Sequence, residues 1–149
     1  MNTMSRRCGQ ALLLALAMSG AAPLLAQSQA RMVGPEHLSS YWILLNTKVD
    51  ADIPNSGHNL DKPGCVAVSY MIGSDGKTQD VAVRKVVPQS DLGPVAQGII
   101  TRFQYGQSLT NKNKEPVATY YVVPFNMPAD PTEKAKLIAA CQLPGYAQG

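Results

Sequence analysis

The strongest periodicity in the chain runs from Cys65 to Val87. Val66, Val68, Tyr70 and Ile72 alternate with mostly smaller residues, and Gly73-Ser74-Asp75-Gly76 follows. Val81 and Val83 then share one face, with Ala82 and Arg84 on the other. Two period-two runs around an Asp-Gly turn, whose glycine tolerates positive φ, predict a β-hairpin. Beyond it, Leu92, Val95, Ala96, Ile99, Ile100 and Phe103 recur at three- and four-residue steps. That spacing predicts an amphipathic helix with one buried stripe, which Ser90 or Asp91 can cap. Gly98 weakens it by about 1 kcal/mol relative to alanine. Gly106 to Pro116 is polar and reads as a loop. Val117 to Met127 is strand-like again, with Val117, Thr119, Tyr121, Val123 and Phe125 on one face.

Ahead of the hairpin, Pro35-Glu36 opens a stretch with Leu38, Tyr41, Trp42, Leu45 and Val49 at helical spacing. It predicts a short amphipathic helix over 35–49. Asp50 to Gly64 holds Pro54, Asn55, Gly57 and Pro63 and reads as a loop. After the last strand, Pro131 to Leu143 suits a short helix, with Leu137, Ile138 and Cys141 apolar. The predicted order is helix, strand, strand, helix, strand, helix. This is an α+β chain: a small antiparallel sheet of three main strands packed against a helix, with flanking N- and C-terminal helices.

The first thirty residues follow a different grammar. Arg6 and Arg7 precede an apolar run from Ala11 to Met18 that softens at Gly20 and breaks at Pro23. The run is shorter than the roughly 20 residues a bilayer-spanning helix needs. Ala26, Ser28 and Ala30 then offer small residues for cleavage. The pattern is that of a signal peptide, so the mature chain is expected to start between Gln27 and Arg31, in the periplasm and without stable membrane insertion. An uncleaved anchor is the alternative. Cys8 precedes the apolar run and is not placed for lipid attachment. Export bears on the other two cysteines, because an oxidising compartment favours pairing Cys65 with Cys141. Two separately buried thiols are the alternative, and no Cys-x-x-Cys supports a redox role.

Composition narrows the function. The 149 residues are 45% hydrophobic and 15% charged, enough apolar material for one core and too little charge for a disordered chain. The formal charge of +3 falls to +1 without Arg6 and Arg7, which leaves no electrostatic footprint for nucleic acid. Asp50, Asp52, His58 and Asp61 crowd one loop and could be drawn as a metal or catalytic site, but they lack a ligand spacing such as His-x-x-x-His. There is no Gly-x-Ser-x-Gly elbow and no Gly-rich phosphate loop. No catalytic constellation or cofactor motif is legible. Recognition through a surface is the reading left. The candidate surface is the edge of the last strand, where Val117, Thr119, Tyr120, Tyr121 and Val123 can pair with an extended segment of a partner. The opposing expectation is that these tyrosines simply pack on the sheet.

From Gly64 to Met127 the motifs resemble the C-terminal domain of the TonB energy-transducer family. Gly64-Cys65-Val66-Ala67-Val68-Ser69-Tyr70 is similar to its Gly-x-Val-x-Val-x-Phe strand. Asp75-Gly76 with Gln79-Asp80-Val81-Ala82-Val83 is similar to its turn and second strand. Arg102-Phe103 resembles its Trp-Arg-Phe-x-Pro close, and Glu115-Pro116-Val117 with Val122-Val123-Pro124-Phe125 its last strand. Thr101 and Tyr105 depart from it, standing where the family has Trp and Pro. The Tyr-Pro element that precedes the family's first strand is not evident in Asp50 to Pro63. With the leader read above, the chain divides into residues 1–30 as signal peptide, 31–63 as N-terminal helix and loop, 64–127 as the domain that the resemblance makes TonB C-terminal-like, and 128–149 as C-terminal helix and tail. The resemblance implies a non-enzymatic envelope module that pairs with a segment of an outer-membrane receptor or another envelope protein, and that can exchange strands into a homodimer. Two other readings stand beside it: a small envelope enzyme or metal-binding protein using the Asp50 to Asp61 loop, and a structural or inhibitory protein docking through its Tyr-rich face.

Overall fold

The computed structural model describes residues 30–146, so the expected leader, Ala30 apart, lies outside the described residues. In chain order the elements are β1 (Arg31–Met32), one 3-10 turn (Leu38–Ser40), β2 (Trp42–Leu44), β3 (Gly64–Ile72) and β4 (Thr78–Val87). They continue with α1 (Gly93–Thr101), β5 (Tyr105–Gln107), β6 (Val117–Phe125) and α2 (Pro131–Ala140). The class is α+β, with the three main strands β3, β4 and β6 antiparallel as expected. A fourth strand, β1, joins β6 in parallel and makes the sheet mixed, in the order β1-β6-β3-β4.

The hairpin forms where its alternation places it. Gly76 closes the turn at φ +76°, and a Cβ there would lie 2.1 Å from the Tyr105 carbonyl oxygen. Glycine is therefore required twice, for its dihedral and for the close approach of β5. Strict alternation does not continue through β4, however. Its pairing with β3 shifts between Ala67 and Val68 and again between Ser69 and Met71, where Asp80 adopts φ 51°. The first shift turns Val86 onto the face that Val83 occupies, while Val87 packs toward the disulfide on the other face. Without it Lys85 would share Val83's side of the sheet.

Helix α1 covers one face. Leu92, Val95, Ala96, Ile100 and Phe103 of the predicted stripe are buried, and they meet Val66, Val68, Tyr70 and Ile72 from β3 and Val117, Val123 and Phe125 from β6. The expected side-chain cap is not used in that way. The Asp91 carboxylate instead accepts the His58 N–H (2.7 Å), tying down the 50–64 loop, and helix entry rests on Pro94 in the first turn. The other end is held from the sheet, where the Thr78 hydroxyl donates to the Ile100 and Thr101 carbonyls.

The helix expected over 35–49 is not formed. Its only helical part is the single 3-10 turn at Leu38–Ser40, after which Trp42–Leu44 pairs antiparallel with Tyr105–Gln107, at the start of a stretch expected to be loop. An isolated helix of that length is marginal in water, and tertiary pairing overrides the apolar spacing. The Trp42 indole N–H donating to the Glu115 carbonyl (2.9 Å) fixes the strand alternative. Leu45, assigned to the helix stripe, is 65% exposed.

Helix α2 lies on the opposite face of the sheet. Asp130 caps it, accepting the N–H groups of Thr132 and Glu133 at 2.9 Å each. None of its ten residues is fully buried. What holds it is the disulfide between Cys65 and Cys141, both buried, with Ala67, Val87, Val122, Met127 and Leu143 packed around them. The bridge spans 76 residues, so it removes loop-closure entropy from the unfolded chain on the order of 4 kcal/mol. We predict that Cys65→Ser/Cys141→Ser lowers the unfolding free energy by about that amount, read from the urea midpoint. Amide exchange should rise first in α2, and uniform acceleration across the whole sheet would contradict this account of how α2 is held.

Candidate functional site

The sheet has two outer edges, and they differ in kind. The β4 edge carries two irregularities in its pairing, bears Arg84 and Lys85, and has its Val81 carbonyl occupied by the Gln97 amide (2.9 Å). Bulges and charges are the usual devices that keep an edge from pairing further. The β6 edge is regular. Nine consecutive residues pair one-to-one with β3, from Val117 opposite Ile72 to Phe125 opposite Gly64.

Which backbone groups face outward on β6 follows from one hydrogen bond. The Val33 N–H donates to the Ala118 carbonyl at 2.8 Å, so Ala118 points away from β3. With an unbroken register, Tyr120, Val122 and Pro124 then also face out, while Val117, Thr119, Tyr121 and Val123 direct their backbone groups to β3. The chain's own β1 stops at once. Two residues beyond Val33 the donor in the same register is Pro35, which has no N–H, and the chain turns away through a Gly34–His37 turn. Among the described residues no hydrogen bond reaches the outward N–H groups of Tyr120 and Val122.

The five sequence-predicted residues are thus placed on one strand but in different settings. Val117 is fully buried and opposite Arg31, so β1 already occupies its stretch of the edge. Thr119 is fully buried, and its hydroxyl has no hydrogen-bond partner among the described residues. Val123 is buried in the α1-side core. Tyr120 lies on the other face, 6% exposed, its ring 4.7 Å from that of Tyr146. Tyr121 is 37% exposed and packs edge-on against Phe103 at 5.4 Å. Sequence reasoning missed Val122, whose backbone is outward, and the flanking turn Gly34–His37; the only legible signal for the turn was Gly34-Pro35.

Each face beside this edge has its own character. On the α1 side, Pro35, Leu38, Trp42, Leu44, Tyr105 and Tyr121 line an apolar groove. Behind it, the Tyr70 and Tyr105 hydroxyls meet at 2.6 Å within a core that also holds Phe103. Burial holds the Tyr105 hydroxyl well above its ordinary value, pushed up to about 12, and also raises Tyr70 well above its ordinary value. The loop drawn from sequence as a metal or catalytic site is dispersed. Asp52 pairs with Arg102 (3.1 Å), the His58 ring nitrogen meets the Gln89 carbonyl (3.1 Å), and no metal-holding group of three is found among the described residues.

Comparison with known proteins gives little beyond this geometry. The chain matches no family model and no curated protein. Among solved structures, it is similar to the TonB C-terminal domain of Pseudomonas aeruginosa determined by solution NMR. The identity is 17% and the TM-score 0.47, over 68% of this chain and 99% of that one. No helix among the described residues is long and apolar enough to cross a membrane.

Two measurements test the interior of the site. The folded-state value of Tyr105 exceeds that of the free side chain, so the stability its neutral form contributes is fully present below about pH 10 and is lost as pH rises through about 12. By pH 12 the loss from this residue alone is about 2 kcal/mol. Urea midpoints that stay level across that range would contradict the buried assignment, and Tyr105→Phe should shallow the decline. Thr119→Val removes an unpartnered buried hydroxyl at nearly constant volume. It should stabilise the fold by about 1 kcal/mol, and a loss of similar size would mean the hydroxyl has a partner.

Proposed function

We propose that the protein is a non-enzymatic binding module of the bacterial envelope. It captures an extended segment of another protein by adding it as a strand along Tyr120–Pro124 of β6. The observation that carries this reading is the regular β6 edge, whose outward N–H groups at Tyr120 and Val122 have no hydrogen-bond partner among the described residues. Main-chain hydrogen bonds supply affinity in this mode, and flanking pockets supply selectivity. The motif resemblance over Gly64 to Met127 motivates assigning the partner to TonB-dependent transport, as the periplasm-facing segment of an outer-membrane receptor. The leader pattern of residues 1–30 motivates a periplasmic location.

The backbone alternation selects the test. Proline at Thr119 or Tyr121 would break the ladder to β3, whereas Val122→Pro spares that ladder and removes an outward N–H, as Pro124 already does one register on, while trimming a side chain beside the disulfide. We expect Val122→Pro to keep its disulfide and near-UV circular dichroism. Its affinity for a synthetic peptide from the periplasm-facing end of an outer-membrane receptor should fall at least tenfold. Unchanged affinity in the folded variant would sink strand addition at this edge.

A further inference from the structure

On the face opposite the apolar groove, the β6 edge is bordered by a polar pocket. Glu36 and His37 from the turn after β1 line one side, and Gln142, Leu143 and Tyr146 from the segment after α2 line the other, with Tyr120 between them. Glu36 is the one carboxylate that lines it, and among the described residues it makes no ion pair. No lysine or arginine lines it; Arg84 lines a neighbouring pocket that shares Tyr146, and its Nε donates to the Ser69 hydroxyl at 2.6 Å. A single turn therefore furnishes both borders of the edge: Pro35 lines the apolar groove, and Glu36 and His37 line the polar pocket.

A strand laid along Tyr120–Pro124 sends successive side chains alternately to the two faces. One set meets Trp42, Leu44 and Tyr121; the other meets the pocket that holds an uncompensated carboxylate. We propose that this pocket is a side-chain subsite that takes a lysine or arginine of the captured segment, with Glu36 as its counter-charge. The preferred partner then alternates apolar residues with polar ones and carries a basic residue on the polar side. The inference rests on the edge-pairing reading of β6. It also gives the disulfide a second consequence, since Cys141 positions Gln142, Leu143 and Tyr146 at the pocket.

The test uses three short amidated peptides that alternate valine with serine, with the central serine kept, replaced by lysine, or replaced by glutamate. Affinities are measured by calorimetry with the mature protein at low ionic strength. A charge-assisted contact predicts that the lysine peptide binds roughly tenfold more tightly than the serine peptide, and the glutamate peptide less tightly. Glu36→Gln, an exposed substitution that leaves the core untouched, should bring the lysine and serine peptides to equal affinity. Equal binding of all three peptides would overturn the subsite while leaving strand addition intact. Absence of binding by any of them would overturn strand addition itself, and the subsite with it.

Discussion

The central position of β3 is the constraint on which the rest of the structure depends. Its residues pair on both sides, with β4 and with β6, and seven of its first eight positions from Gly64 to Met71 are buried. A strand buried on both faces needs cover on both. The bulky set Val66, Val68, Tyr70 and Ile72 receives α1 and the β2–β5 pair. The small set Cys65, Ala67 and Ser69 leaves room for the α2 segment to lie close. The alternation of large and small side chains along one strand thus decides which cover is a packed helix and which is a tethered one. Helix α2 has little apolar surface of its own to bury, so a covalent bond from the middle of the sheet supplies what hydrophobic contact does not.

With β3 occupied on both sides, only β4 and β6 can end the sheet, and the chain treats them differently. The two shifts in β4 disrupt the flat row of groups another strand would need, and they move Val86 into the core in place of Lys85. A feature that repairs the hydrophobic pattern also protects the edge. On β6 nothing of the kind occurs between Val117 and Phe125. Protection there comes from β1 over two residues and from the missing N–H of Pro124, which leaves a short open stretch between them.

Much of this was legible in the sequence, and what was not has a common cause. The hairpin, the α1 stripe, the last strand and the α2 start are all local patterns, set by turn chemistry and by side chains a few residues apart. The Cys65–Cys141 pairing was legible only as a preference, because proximity across 76 residues is a property of the fold. The 35–49 segment failed for the same reason. Trp42 and Leu45 satisfy helical spacing, yet the strand Trp42–Leu44 has its partners Gln107 to Tyr105 some sixty residues on, and that pairing outweighs it. At the edge, alternation identified the strand. It could not say which backbone groups face outward, since that depends on the side from which β3 approaches. Thr119 and Tyr121 stand out by composition, while Val122, which does not, carries the free N–H.

The Gly34–His37 turn joins these threads. If β1 continued in register it would cover Tyr120 and Val122 with the protein's own chain, and the sheet would close on itself. Pro35 interrupts this, because in that register the Tyr120 carbonyl would take its donor from residue 35, and proline has no N–H. The turn that results does not leave the edge; it folds beside it, placing a pyrrolidine ring on the apolar side and a carboxylate on the polar side. Substituting an ordinary residue at Pro35 therefore does two things at once, restoring a donor to β1 and removing a wall from the groove. Both changes act against an incoming strand. The missing donor opposite Tyr120 and the character of both borders thus meet in the one turn that Pro35 begins.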